Sequence, residues 1–197
     1  MKYLLNLSGG IDSVYALYKH LTTKPNETLL VHHCELKTPQ NRFEKETEAV
    51  KAVLNWHSQK GLTNYVYIKT SFDCRELGIR PLDGQVIAFM NGILFQNKKY
   101  RTIKYTYINT PKDEYQRLGT RLLQKQQDSY RLIRSIPQHT FLRTYSHNLQ
   151  PIYTVKHLSK QQIIEQMPKE LVQLSWSCRT PRDNKPCQKC HTCLQLK

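Results

Sequence analysis

The sequence predicts an α/β fold: a doubly wound, mainly parallel five-stranded sheet, followed by a C-terminal zinc-binding tail. Three observations carry this. Apolar runs of strand length alternate with helical periodicity along most of the 197 residues, the pattern of parallel strands joined by crossover helices. A Ser-Gly-Gly turn stands between the first strand and the first helix. Four of the six cysteines crowd the last twenty residues.

The elements follow in order. Tyr3-Leu4-Leu5-Asn6-Leu7 reads as a buried strand, and Val14, Leu17, Tyr18 and Leu21 recur at i, i+3, i+4, i+7, the inner face of a helix. Thr28 to Cys34 reads as a second strand. Its run Leu29-Leu30-Val31 suits a parallel strand covered on both faces, with His32 and His33 as polar strand-end groups or substrate contacts. Arg42 to Trp56 has helical spacing, with Phe43, Thr47, Val50 and Leu54 on one face and Glu44, Lys45, Glu46, Glu48 and Lys51 on a solvated one. Tyr65-Val66-Tyr67-Ile68 alternates as a third strand, and Ser71 to Gly84 reads as a loop. Gln85 to Phe95 is a helix whose apolar residues Val86, Ile87, Phe89, Met90, Ile93 and Leu94 suit the core. Tyr105 to Asn109 is the fourth strand and Gln150 to Tyr153 the fifth. Between them, Glu114 to Ile136 has helical periodicity, with Arg117, Arg121, Lys125, Arg131, Arg134, Tyr115 and Tyr130 on it. That is either a nucleic-acid surface with aromatic platforms or a solvated amphipathic helix. Ser159-x-x-Gln162 has capping-box spacing, and Pro168 ends the helix that follows.

Composition narrows the function classes. Thirty Lys+Arg against fifteen Asp+Glu give a net charge of +15, and hydrophobic residues make up 39%. Such a field attracts nucleic acid, nucleotides and carboxylates. No apolar run is long enough to span a membrane. The N-terminus lacks a signal-peptide pattern, so the expected location is the cytoplasm.

The turn Ser8-Gly9-Gly10-Ile11-Asp12-Ser13 carries the chemistry. Two glycines allow a tight turn and close approach to a ligand. Ser8, Asp12 or Ser13 can cap the helix, and the free N–H groups with the helix dipole form an anion site. The same residues can also be no more than a capped Gly-Gly turn. A standard P-loop has four residues between its glycines and then a lysine; no lysine follows Gly10.

Cys178-x8-Cys187-x2-Cys190-x2-Cys193 has ligand spacing for one tetrahedral Zn²⁺. Four thiolates leave no position for water, which favours a structural metal worth on the order of 10 kcal/mol to folding. An iron–sulfur cluster also takes four cysteines. Disulfides fit an intracellular chain poorly. His191 lies between ligands, and Cys34 and Cys74 read as plain buried or loop cysteines.

Ser8 to Ser13 resembles the Ser-Gly-Gly-x-Asp-Ser signature of the PP-loop ATP pyrophosphatases, with their adenine-nucleotide α-hydrolase-like fold. Together with the cysteine spacing, Leu158 to Ile164 and Ser177-Cys178-Arg179-Thr180-Pro181, the chain resembles the 7-cyano-7-deazaguanine synthases nearly end to end. The resemblance implies an ATP-dependent carbon–nitrogen ligase. Such an enzyme adenylates 7-carboxy-7-deazaguanine and converts it with ammonia, through the amide, to the nitrile of deazapurine (queuosine-type) biosynthesis. By position it assigns Leu7, Ser8, Gly9, Gly10, Ile11, Asp12 and Ser13 to ATP with Mg²⁺. It gives Ser8, Asp12, Ser13 and Lys160 catalytic roles and Cys178, Cys187, Cys190 and Cys193 to Zn²⁺. Residues 1–170 would be the catalytic domain and 171–197 the metal-binding tail, and a homodimer is implied. Two segments depart from the family pattern: Arg80-Pro81-Leu82-Asp83-Gly84 replaces Pro-Gly-Arg-Asn, and Asn109 to Glu114 replaces a glycine- and acid-rich loop. Two other readings stay open. One is a PP-loop enzyme that adenylates a base in tRNA or DNA, or a protein carboxylate. The other is a non-catalytic, zinc-stapled nucleic-acid-binding protein.

Overall fold

Apolar strands that are buried on both faces need helices on both sides, and the chain supplies them. The structure is a computed structural model that describes residues 1–78, 83–119, 124, 127–128, 131 and 149–196. β1 (Tyr3–Asn6), β2 (Leu29–Lys37), β3 (Tyr65–Asp73), β4 (Tyr105–Tyr107) and β5 (Gln150–Ile152) form one sheet in the order β3-β2-β1-β4-β5. Every pairing is parallel. The helices are α1 (Ile11–Thr23), α2 (Phe43–Gln59), α3 (Asp83–Leu94), α4 (Lys112–Leu118), α5 (Lys160–Glu165), α6 (Lys169–Leu174) and α7 (His191–Leu194). A short 3-10 turn spans Lys98–Tyr100.

Strand alternation divides the core. Tyr3, Leu5, Leu29 and Val31 pack with α1 and α2, together with Ile163 and Leu171. Leu4 and Leu30 face the other way, onto Ala88, Phe95 and Tyr100. Leu29, Leu30 and Val31 are fully buried, as their unbroken apolar run predicts. The strand order reverses at β1, with β2 on one side and β4 on the other. In doubly wound sheets ligands enter the crevice at the carboxyl ends of the strands flanking such a reversal.

Several boundaries differ from the sequence reading, each for a tertiary reason. β3 continues through Ser71, Phe72 and Asp73, expected as loop, because their backbone pairs with Glu35, Leu36 and Lys37 of β2. β2 is correspondingly longer than Thr28 to Cys34. Only part of the apolar stripe of α3 is core: Val86, Ala88 and Gly92 are buried, while Phe89 and Ile93 stay 40% and 41% exposed. Pro168 does not simply end a helix, since it caps α6, which the sequence reading lacked and which buries Leu171. The capping box at Ser159 and Gln162 is present as expected. The helix expected over Glu114 to Ile136 begins earlier, at Lys112, and Gly119 with φ +52° closes its first segment. Arg121, Lys125, Tyr130, Arg134 and Ile136 lie outside the described residues, as do Arg80, Pro81 and Leu82. Among the described residues no helix is long and apolar enough to cross a membrane.

Candidate active site

The turn after β1 is shaped by what it packs against. Gly9 has φ +78°, and a Cβ there would lie 2.9 Å from the carbonyl oxygen of Glu46 and 3.1 Å from Ala49 Cβ. Glycine is therefore required both for the backbone conformation and for contact with α2. The expected serine or aspartate cap is absent: Gly10 is the cap residue of α1 and supplies no side-chain cap bond. The hydroxyls turn inward instead. Ser13 Oγ donates to the Gly10 carbonyl at 2.9 Å, and the Ser8 and Ser13 hydroxyls lie 3.2 Å apart. Of the first-turn amides, Ser13 N donates to the Gly10 carbonyl at 3.0 Å and Ile11 N to Ser177 Oγ at 3.5 Å, and the Asp12 amide is left to a ligand.

Lys160 reaches this turn from 150 residues downstream. It occupies the first position of α5, its own N–H donates to Asp113 Oδ2 at 2.8 Å, and the neighbouring Ile163 is fully buried. Its side chain is buried rather than solvated: the residue is 4% exposed, and Nζ stands 3.4 Å from Asp12 Oδ2. Burial raises the Asp12 carboxyl above the ordinary carboxylate range, while Lys160 opposes that shift. Asp12 Oδ1 is buried with no hydrogen-bond partner among the described residues, so this carboxylate has a free ligating oxygen.

Both groups line a cavity of about 810 Å³ at the carboxyl ends of β1, β2 and β4. Its walls include Ser8, Gly10, Ser13, His32, Cys34, Ala88, Asn91, Asn109 and Lys160, with Trp176, Ser177 and Arg179 from the tail. Asp83, Gly84 and Asn109 to Pro111, with Glu114, also line it, so the two segments that depart from the family pattern both reach the cavity.

A charged cluster missed by the sequence reading forms one rim. Glu46, expected on a solvated face, and Arg42, at the expected helix start, are inward. Arg42 is 5% exposed and pairs with Glu46 at 3.4 Å and with Asp83, and Asp83 also meets Arg179 at 3.4 Å. Burial pushes the Glu46 carboxyl up to about 7 despite Arg42, so it exchanges a proton near neutral pH. Helical periodicity alone could not mark this, because the approach of α2 to the glycine turn decides which residues are covered. His32 and His33 are not strand-end groups. Both are 1% exposed within the longer β2. His33 bonds the Leu7 carbonyl at 2.8 Å and Thr47 at 3.0 Å on the face away from the cavity. His191, placed between two cysteines, points instead at Glu114, 3.4 Å away.

The four tail cysteines converge. The Sγ atoms of Cys178, Cys187, Cys190 and Cys193 all lie within 4.8 Å of one another. Backbone N–H groups of Cys187 and Cys190 donate to the Sγ of Cys178 and Cys187 at 3.2 and 3.3 Å. Gln188, at φ +56°, makes the turn between Cys187 and Cys190. Hydrogen bonds from Thr180 and from backbone amides hold the Cys187 thiol down to about 7, which favours the ligating thiolate. Cys34 lines the cavity and Cys74 is buried; neither joins the cluster. The tail also touches the glycine turn directly. Trp176 N donates to the Gly9 carbonyl at 2.8 Å, and Thr192 Oγ1 donates to the Ser177 carbonyl at 2.6 Å.

No protein-family model and no curated protein matches the chain. Among solved structures it is similar to the U34-tRNA thiolase NcsA from Methanococcus maripaludis, solved with its 4Fe–4S cluster, at 13% identity and a TM-score of 0.57. The similarity covers 95% of this chain and 61% of that one. A similarity at this identity carries architecture alone: five parallel strands with flanking helices. The four tail cysteines of this chain are placed so that they could hold a metal.

Proposed function

We propose that this chain is an ATP-dependent adenylating enzyme. Its acceptor on this reading is 7-carboxy-7-deazaguanine, which it converts with ammonia to 7-cyano-7-deazaguanine. The observation that supports adenylation most is the meeting of Lys160 and Asp12 beside the Ser8–Ser13 turn, at the mouth of a cavity large enough for a nucleotide and a bicyclic base. The resemblance described above supplies the acceptor.

In the first step the substrate carboxylate attacks the α-phosphorus of ATP and pyrophosphate leaves. The turn amides and Lys160 hold the pyrophosphate oxygens as negative charge moves onto them. Asp12, with its unpartnered Oδ1, fits a Mg²⁺ ligand, and Mg²⁺ would neutralise phosphate charge there. Ammonia then attacks the acyl carbon, and AMP departs with the former carboxylate oxygen. The amide oxygen then attacks the α-phosphorus of a second ATP, and a second pyrophosphate leaves. Loss of the second AMP and of the nitrogen-bound protons leaves the nitrile. Glu46, ionising near neutral pH, is a suitable proton acceptor at the rim.

In the tail the donor set fits one Zn²⁺. Four thiolates at 2.3 Å from a tetrahedral ion stand about 3.8 Å apart, within the 4.8 Å span seen. In a four-iron cluster each thiolate binds a different iron, which spreads the sulfurs further. The metal would be structural, with residues 171–197 as a tail walling a catalytic domain of residues 1–170.

The test is pyrophosphate release from ATP with 7-carboxy-7-deazaguanine and ammonium, with products identified by mass. A nitrile product is expected, and Asp12→Ala should lower the rate at least ~100-fold while metal content is unchanged. Turnover with tRNA but not with this base would favour the adenylation of a nucleic-acid base, the reading that the charge of +15 supports.

A further inference from the structure

Beneath α3 the cavity ends in a polar floor that neither the nucleotide turn nor the tail explains. His32 Nδ1 lies 2.7 Å from Asn91 Oδ1 and 3.2 Å from Asn6 Oδ1, and its Nε2 lies 2.7 Å from the Thr70 hydroxyl. Burial lowers His32 to about 4, so the ring is neutral at physiological pH and carries one N–H. Two carboxamide oxygens face Nδ1, which puts that proton on Nδ1 and leaves Nε2 to accept from Thr70. With both oxygens turned to the histidine, the N–H₂ groups of Asn91 and Asn6 turn away from it, and both residues line the cavity. Beside them, Asn109 Nδ2 donates to the Asn6 carbonyl at 3.3 Å, and Asn109 Oδ1 is buried with no partner among the described residues. The floor thus holds two carboxamides whose N–H₂ groups are turned from the histidine and, among the described residues, one acceptor without a partner. Leu36, Ile87 and Ala88 provide apolar wall above it.

We infer that this floor recognises the lactam edge of the acceptor heterocycle, with Asn6, Asn91 and Asn109 touching the ring and His32 as the positioning residue. A lactam presents a carbonyl acceptor next to an N–H donor, the complement of an amide N–H₂ next to a free carboxamide oxygen. Depth selects the acceptor over the adenine of ATP. Asn6 precedes Ser8 by two residues on an extended chain, about 7 Å below the turn. That is about the width of a fused bicycle whose carboxylate meets the α-phosphate, whereas adenine is held further from its phosphates by ribose. The inference rests on the adenylation reading for its substrate, but the site can be tested without turnover.

The experiment is calorimetric binding to the full chain of 7-carboxy-7-deazaguanine, of its analogue with an amine replacing the lactam oxygen, and of a non-hydrolysable ATP. The unaltered protein should prefer the lactam at least about tenfold, since the analogue leaves buried amides unpaired. Asn91→Leu should abolish that preference and leave affinity for the ATP analogue within about twofold. Asn91 is fully buried, so Asn109→Leu, at a half-buried position, is the second variant and should do the same. His32→Ala should raise KM for the base with kcat little changed. His32→Asn, which puts an amide N–H₂ where Nδ1 sits, should restore KM. Equal affinity for the two heterocycles overturns the inference. So does a loss of ATP-analogue binding alone in Asn91→Leu, which would give the floor to adenine. Failure to release pyrophosphate while the lactam preference persists would sink the proposed reaction and leave this site standing.

Discussion

The two loops that bracket the cavity are held by opposite means. The turn after β1 stands on fully buried strands, with α2 packed so close to Gly9 that no side chain fits. The tail loop from Cys178 to Cys193 has little apolar core of its own. Its fixed points are four sulfurs, and Asp183, Asn184 and Gln188 adopt positive φ. The first loop is a product of the sheet and needs no ligand to exist. The second has its shape only while the thiolates are drawn together, because converged cysteines without a metal gain nothing from convergence.

Four substitutions or titrations sharpen this contrast. The largest effect is expected from Cys190→Ser. With a structural metal contributing on the order of 10 kcal/mol, the variant should lose its metal in native mass spectrometry and melt far lower. Retention of one metal per chain and an unchanged melting temperature would refute the structural role. Acidification comes next. His32 is held at about 4 against an ordinary 6.5, so the folded state binds fewer protons than the unfolded one. Its contribution, about 3 kcal/mol, is complete above pH 6.5 and is lost as pH falls towards 4. His20, His33 and His57 are also lowered by burial and add a loss of the same sign as pH falls. Denaturant melts at pH 7 and pH 5 should show the loss, and His32→Asn should reduce it. Gly9→Ala should cost about 1–3 kcal/mol from strain and from contact with α2 and should weaken nucleotide binding, with metal content intact. Smallest is Lys45→Gln, which breaks an exposed i, i+3 pair with Glu48. It should shift stability by no more than about 0.5 kcal/mol.

The contrast also explains what the sequence could reveal. Leu29-Leu30-Val31, the glycine turn and the cysteine spacing are legible because each is a local requirement: burial on both faces, positive φ, ligand geometry. Lys160 could be singled out only by resemblance, since its burial depends on α5 docking beside α1. Arg42, Glu46 and Asn91 carry no local signal. Their positions follow from which helix faces close on the crevice, and a solvated charged face reads the same as one that meets a glycine turn. The extension of β3 to Asp73 was hidden for a related reason, because strand length is set by the partner strand. Trp176 lies in irregular chain and Thr192 in the single turn of α7, and neither stretch is long enough for periodicity to show.

The hydrogen bond from Trp176 N to the Gly9 carbonyl makes the two loops accountable to each other. Whatever order a metal held by the four cysteines would confer on the strap from Trp176 to Cys178 would be transmitted to the turn proposed to hold ATP, and linkage requires the reverse to be equally strong. Nucleotide should then raise the metal's equilibrium affinity, read by competition with a chelator, by the same factor by which metal tightens nucleotide. On the proposed reading the protein would sense two supplies at once: scarcity of the metal would read out as a weaker grip on ATP, and abundant ATP would retain the metal through a shortage.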